Sequence, residues 1–74
     1  MIVFTQHAVL KLKHRSIRKE IVILTLKNPD RIIGSYKDRK AAFKKFKKVY
    51  MKVIFRNEKS NIIVITQHWT DKII

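Results

Sequence analysis

The chain has 74 residues and carries 18 lysines and arginines against five aspartates and glutamates, which gives a formal net charge of +13. A chain this short has room for one hydrophobic core, and its apolar fraction of 46% excludes a simple basic disordered tail. It contains no cysteine, so disulfides and thiolate metal ligands are excluded. The excess of positive charge indicates an anionic partner, and a nucleic-acid backbone is the first candidate.

These properties predict a single domain over residues 1–74. Apolar runs reach only four residues, as in Ile21–Leu24, which is far below the length of a membrane span. No basic segment followed by a long apolar stretch opens the chain. We therefore expect a soluble protein of the cytoplasm with no membrane partner.

The N-terminal third predicts one strand and two helices. Residues 2–5 are β-branched or aromatic and indicate a short strand. Over residues 6–14 the apolar spacing of Ala8 and Leu12 predicts a helix. A second helix is expected over about residues 18–27, ended by the sequence Asn-Pro-Asp at 28–30.

The remainder predicts strands at 31–36, 49–56 and 62–68, with a turn at 37–39 and a hairpin loop at 57–61. Gly34 is a candidate bulge. Residues 40–46 fit a helical turn or a strand, and we assign a strand. The predicted class is α+β, with two N-terminal helices on a small antiparallel sheet in the order β-α-α-β-β-β, to which one more strand could be added.

The most basic segment runs from Lys37 to Lys52 and includes three aromatic residues. Strand alternation would place one set of cations on an open sheet face and most aromatics in the core. Such a face binds phosphates, whereas the alternative is a merely solvated lysine-rich surface. The candidate nucleic-acid-binding residues here are Lys37, Arg39, Lys40, Lys44, Lys45 and Lys52.

The polar side of the first helix is a second candidate for binding. His7, Lys11 and Arg15 lie one turn apart and point the same way, although a plain solvated face would give the same pattern. The three histidines of the chain have no cysteine and no suitably spaced carboxylate beside them, so we predict no metal and no cofactor.

His68 and Trp69 end the last predicted strand. An exposed histidine at a sheet edge can act as a general acid near neutral pH, and it can equally be structural. Trp69 could stack on a nucleic-acid base or close the core.

Several short motifs resemble a group of small uncharacterised prokaryotic domains. They are His7-Ala8-x-x-Lys11-x-x-x-Arg15-x-Ile17-x-x-Glu20, Leu26-x-Asn28-Pro29-Asp30 and the closing strand Ile63-Val64-Ile65-Thr66. The sequence departs from that pattern at Lys11, where arginine is usual, and at Arg18, where a helix-capping serine is usual.

These domains look like relatives of the RelE, ParE and BrnT toxins, and the chain end is similar to YoeB-type toxins. Val49-Tyr50 and His68-Trp69 correspond to a core strand and a terminal His-Tyr pair of those toxins. The resemblance implies a RelE-like fold and metal-independent cleavage of mRNA, free or ribosome-bound, by attack of the RNA 2′-OH on phosphorus. It also implies an acidic antitoxin protein as partner.

The resemblance assigns roles to a few residues. His68 would be the acid, and Lys47, Lys48 and Arg56 would stabilise the phosphate. YoeB-type toxins use a sheet glutamate as base, and this chain offers there only Glu58, in the predicted loop, so Lys44 or Tyr50 would substitute. ParE-like relatives do not cleave RNA, and a non-catalytic nucleic-acid-binding module of the same fold is the alternative function.

Overall fold

Two helices pack on one face of a five-stranded sheet in a computed structural model that describes residues 1–73. The helices are α1 (Gln6–His14) and α2 (Lys19–Lys27). The strands are β1 (Ile2–Phe4), β2 (Arg31–Gly34), β3 (Arg39–Phe46), β4 (Val49–Glu58) and β5 (Asn61–Thr70). The α+β class is confirmed, residues 40–46 are a strand, and the additional strand is present.

The sheet has the order β1-β5-β4-β3-β2 and is mixed, so the prediction of a purely antiparallel sheet was wrong. The four strands β2 to β5 form antiparallel neighbours, but β1 pairs in parallel with β5. The reason is the path of the chain. After the two helices the chain enters β2 in the direction opposite to β1. It then changes direction three times, between β2, β3, β4 and β5, so β5 runs parallel to β1.

Thr5 sets the start of α1 and ties it to the sheet. Its side-chain oxygen accepts a hydrogen bond from the Ala8 backbone N–H at 3.1 Å, as expected of an N-cap threonine. Its backbone N–H donates to the Val64 carbonyl at 3.0 Å, and its hydroxyl donates to the Ile65 carbonyl at 3.3 Å. One residue therefore joins β1, α1 and β5.

A tight turn separates the two helices. Ser16 has a φ of 53°, in the left-handed region that commonly ends a helix. The Ile17 backbone N–H donates to the Leu12 carbonyl at 2.9 Å, and the Ile17 side chain is buried. Ile17 thus packs at the break between the helices, as its position in the sequence suggested.

Arg18 is the N-cap of α2, and its side chain makes no capping hydrogen bond. We expect Arg18→Ser to raise the free energy of unfolding by about 1 kcal/mol, because serine oxygen would satisfy a free N–H of the first turn. Urea denaturation measures this difference. Arg18→Ala removes the same positive charge without adding a cap, and an equal gain in that variant would contradict the capping argument.

The core lies between the helices and the central strands. It contains buried Ala8 and Ile17 from the α1 region, Val22 from α2, and three strand residues, Met51, Val53 and Val64. In α2 the apolar Leu24 is 40% exposed, whereas the polar Thr25 is buried. The Thr25 hydroxyl is satisfied by the Ile21 carbonyl at 2.8 Å, which allows a polar residue in the core.

The turns and irregularities differ in detail from those expected. Gly34 pairs with Lys40 without a bulge; the register shift lies between Ile54 and Phe55, opposite Ile65. The β4–β5 hairpin is tighter than predicted, because both strands extend and leave only residues 59–60 as the turn.

Candidate nucleic-acid interface

The sheet has one face that no helix covers. α1 packs on β5, and α2 packs on β4 and β3, all on the face that carries Met51 and Val53. Side chains of β4 that alternate with these two residues therefore point to the other side, which we call the open face. Within residues 1–73 the strand register places these charged or aromatic residues on it: Arg31, Arg39, Phe43, Lys45, Tyr50, Lys52, Arg56, Glu58 and His68. Glu58 was expected in a loop, but it is the last residue of β4.

A row of four residues crosses the open face. Arg31 lies opposite Phe43, Phe43 opposite Lys52, and Lys52 opposite His68. Neighbouring strands are about 4.8 Å apart, so the row spans about 14 Å from its first member to its last. We call it the central row. Arg31 and His68 at its ends and Lys52 within it can contact the backbone of a bound polyanion.

Phe43 is the apolar support of the central row. Its side chain is fully buried although it points to the open face. The Lys52 ammonium lies over its ring, 5.6 Å from the ring centroid. This cation–π contact draws the Lys52 stem across the aromatic surface, so the ammonium is held near the centre of the open face.

Arg15 brings a further cation to the same place from the end of α1. Its Nη1 donates to the Gln67 carbonyl at 2.8 Å and to the Thr66 hydroxyl at 3.3 Å. Thr66 is on the open face, opposite Ile54, and β1 pairs with β5 only as far as Val64. The guanidinium therefore reaches the edge of β5 that β1 leaves uncovered, beside His68.

His68 is half-buried on β5, and its surroundings disfavour the imidazolium form. Burial lowers the pKa of His68 below its ordinary value of 6.5, and the positive charges of Lys52 and Arg15 lower it further. At pH 7 the lowered pKa favours the neutral imidazole. A neutral imidazole flanked by two cations is suited to accept a proton close to a bound phosphate.

Tyr50 and Lys45 form a second row beside the central row. They lie opposite each other on β4 and β3, and Thr70 lies opposite Tyr50 on β5. The Lys45 ammonium is 5.9 Å from the Tyr50 ring centroid. The Asp30 carboxylate accepts from the Lys45 backbone N–H at 2.7 Å, which anchors this end of β3. Tyr50 is thus a diagonal neighbour of His68.

Arg39 and Arg56 lie opposite each other at the far end of the open face. Arg56 Nη1 forms an ion pair with Glu58 at 2.7 Å, which partly neutralises it. Both arginines extend the positive surface, but Arg56 is two rows away from His68 along β4, so the structure does not bring it into the immediate surroundings of the histidine.

Five of the basic residues predicted to bind or cleave lie elsewhere. Lys37, Lys47 and Lys48 are in the turns before and after β3, and Lys37 and Lys47 have left-handed φ values of 58° and 60°. Lys40 and Lys44 lie on the helical face of β3. The Lys44 ammonium donates to the Asn28 carbonyl at the end of α2, at 3.1 Å. The basic segment from Lys37 to Lys52 is therefore divided between two faces and two turns.

Trp69, His7 and Lys11 are also away from the open face. Trp69 lies opposite Met51 on the helical face and meets Phe46 edge to face, with 5.8 Å between ring centroids. This contact favours the role of closing the core, although 40% of the indole is exposed. His7 and Lys11 are on α1 and form no continuous surface with the central row.

Sequence reasoning missed Arg31 and the position of Phe43. Arg31 begins the strand after Pro29-Asp30, and strand alternation over residues 31–34 could have placed it on one face with Ile33. No sequence signal gives the register that sets Arg31 against Phe43, because that pairing depends on the turn between β2 and β3.

Two further properties bear on the class of protein. None of the helices within residues 1–73 combines the length and the apolar character that crossing a bilayer requires. In the same part of the chain, no group of three or more histidine, cysteine, aspartate or glutamate residues is arranged to hold a metal ion.

The chain was compared with known protein families, curated proteins and solved structures. Its residues 4–67 match the family model described as Domain of unknown function (DUF4258). No curated protein matches. No solved structure matches either. The family match covers the last residue of β1, both helices, β2, β3 and β4. It continues through β5 to Gln67, so it includes the Arg15 contacts at Thr66 and Gln67 and ends one residue before His68. The chain belongs to the DUF4258 family.

Proposed function

We propose that this protein binds single-stranded RNA across the open face and cleaves it at His68, without a metal ion, by attack of the RNA 2′-OH on the adjacent phosphorus. The observation that supports this most is the placement of one neutral imidazole between two cations, Lys52 and Arg15, on an uncovered sheet face. A cation pair stabilises the crowded phosphate as charge develops, and the imidazole transfers a proton.

Binding in this proposal follows from charge and shape. The central row is about 14 Å long, which allows it to contact more than one nucleotide of an extended strand. Arg31 and Lys52 would neutralise phosphates, and the partly exposed ring of Tyr50 offers a surface on which a base can stack. A double helix would meet a flat face that has no protruding element to enter a groove, so the proposal names single strands.

The test uses the purified chain and a labelled RNA in the presence of EDTA. We expect cleavage products with 2′,3′-cyclic phosphate ends, because 2′-OH attack forms that ring before any water enters. A matched strand with a single deoxynucleotide on the 5′ side of the cut should bind and remain intact at that position. Intact RNA under conditions in which binding is saturated would reject the proposed cleavage.

The second candidate is a non-catalytic module that binds nucleic acid on the same face. It is favoured by the position of Glu58, which lies on the open face at the end of β4, far from His68, and is ion-paired with Arg56 at 2.7 Å. Glu58 is therefore poorly placed to act as the sheet base that YoeB-type toxins use. In the EDTA experiment this candidate predicts binding without any products.

We further propose that the chain acts as the toxin of a toxin–antitoxin pair and is covered by an acidic antitoxin protein. The support is its resemblance to RelE, ParE and BrnT toxins together with a net charge of +13. An acidic protein that neutralises the open face would compete directly with RNA, because both ligands need the same cations.

A further inference from the structure

We infer that His68 is the general base of the cleavage reaction and that Tyr50 is the general acid, with the scissile phosphate held between them by Lys52 and Arg15. This inference rests on the proposed cleavage of RNA and reverses the acid role that the toxin resemblance assigns to the histidine. It also assigns a base next to Lys52 and Arg15, since the sheet glutamate Glu58 lies at the far end of β4 in an ion pair with Arg56.

The first step is the position of the two cations relative to His68. Lys52 is directly opposite His68, where Cβ atoms are about 5 Å apart, and Arg15 is fixed at Thr66 and Gln67, the two residues that precede His68. A phosphate bound by both ammonium and guanidinium therefore lies against the imidazole. The 2′-oxygen of the preceding ribose is on the carbon next to the one that carries the phosphate ester, so it lies close to the same phosphate and to the ring.

The second step is the charge state of the ring. The charged groups that act on His68 are Lys52 from β4 and Arg15 from the end of α1, and both favour the neutral form, as does burial. Tyr50 also faces it diagonally from β4. A base must be unprotonated when substrate arrives, and a general acid must be protonated. The surroundings of His68 fit the first requirement.

The third step is the position of Tyr50. It lies two residues from Lys52 on the same strand and diagonal to His68, a relation in which the residues are about 7–8 Å apart and their Cβ atoms somewhat closer. In-line displacement requires the base and the acid on opposite sides of one phosphorus atom. A diagonal pair provides that separation, with Lys52 beside both residues to hold the phosphate, whereas directly opposed residues are too close.

The reaction then balances as follows. His68 accepts the proton of the 2′-OH, the O2′–P bond forms, the P–O5′ bond breaks, and the Tyr50 phenol gives its proton to the leaving 5′-oxygen. The products are a 2′,3′-cyclic phosphate and a 5′-hydroxyl. The imidazolium returns its proton to water, and the phenolate takes one from water. No oxidant or reductant is required.

The experiment compares ordinary RNA with RNA in which sulfur replaces the 5′-bridging oxygen at the cut. Thiols are far more acidic than alcohols, so the thiolate leaves without being protonated. Cleavage of this substrate therefore needs no general acid, but it still needs a base to take the 2′-OH proton. Tyr50→Phe should cleave ordinary RNA roughly 10²-fold more slowly than the wild type does. On the sulfur substrate the same variant should cleave at nearly the wild-type rate. His68→Ala and His68→Gln should remain slow on both substrates.

The outcomes separate the two proposals. If the His68 variants cleaved the sulfur substrate at nearly the wild-type rate, His68 would be the acid and the inference would be overturned. An ordinary-RNA rate for Tyr50→Phe equal to that of the wild type would remove Tyr50 from the mechanism. Wild-type protein that cleaves neither substrate would overturn the proposed function itself. Because each variant is compared with itself on two substrates, a partial loss of folded protein does not alter the ratio.

The pH dependence gives an independent readout on the wild type. With the sulfur substrate, kcat/KM reports groups of the free protein. It should rise with pH, reach a plateau once His68 is deprotonated, and show its midpoint below 6.5. A kcat/KM that falls as the pH rises through this range would indicate an acid and contradict the assignment.

Discussion

Replacing His68 by alanine is expected to slow RNA cleavage roughly 10²–10⁴-fold while leaving RNA affinity nearly unchanged. The imidazole transfers a proton in the transition state, whereas affinity is dominated by cations that contact phosphates. At pH 7 the lowered pKa of His68 favours the neutral imidazole, so its removal takes little positive charge from the open face. Single-turnover cleavage of a labelled oligonucleotide measures the rate, and fluorescence anisotropy with a non-cleavable deoxy-substituted strand measures affinity.

His14→Ala is the matched control for this experiment. His14 is an exposed histidine in the last turn of α1, outside the open face, and its replacement should change neither rate nor affinity. If His68→Ala protein cuts RNA at the wild-type rate, His68 is structural. If both histidine variants lose activity equally, the loss reflects the fold of the protein rather than proton transfer.

The second large effect concerns the salt dependence of binding. Replacing Arg31, Lys45 and Lys52 together by glutamine should flatten the slope of log affinity against log salt concentration by up to about 2, because each single-strand phosphate contact contributes about 0.7. These three residues lie on the open face and come from three different strands. Anisotropy titrations with oligouridine over a range of salt concentrations give the slope.

A triple variant with the same change in charge provides the control. Lys13, Lys27 and Lys59 are exposed on α1, on α2 and in the β4–β5 turn. Their replacement by glutamine lowers the net charge equally but removes no cation from the open face. Equal slopes for the two triple variants would mean that RNA responds to overall charge and not to this face. A salt-independent affinity of the wild type would reject phosphate-dominated binding altogether.

The candidate site could be predicted from the sequence only in part. Strand alternation correctly indicated that one set of cations would share an open face, and Lys45, Tyr50, Lys52 and His68 are found there. Alternation could not show that Lys44 points to the helical side and binds the Asn28 carbonyl. A shift of one residue in register exchanges the two faces, and a linear pattern of mixed lysines and aromatics does not determine that shift.

Turn residues were the other source of error. Lys47 and Lys48 lie between the strands predicted at 40–46 and 49–56, as observed, but the resemblance gave them a role in stabilising the phosphate, and the β3–β4 turn lies away from His68. Turns that require a left-handed φ usually contain glycine or asparagine, and neither occurs at Lys47, where φ is 60°. The sequence therefore lacked the usual signal for this turn. The resemblance to a catalytic arginine position did not indicate a turn either.

The sequence by itself determined the elements of this protein. Periodicity, the Asn-Pro-Asp helix end and the β-branched runs placed both helices within one or two residues and identified every strand, since these signals are local. Net charge indicated the class of partner. Both kinds of information reside in neighbouring residues or in composition, so no knowledge of the fold was needed to read them.

Only the tertiary structure decided which residues meet. The parallel pairing of β1 with β5 and the reach of Arg15 to Gln67 join positions that are about 50 or 60 residues apart in the chain. Such contacts depend on strand order and register, which arise from the packing of the whole core rather than from local preference. For that reason His68 was identified from the sequence, whereas the cations that keep it neutral became apparent only once the sheet was assembled.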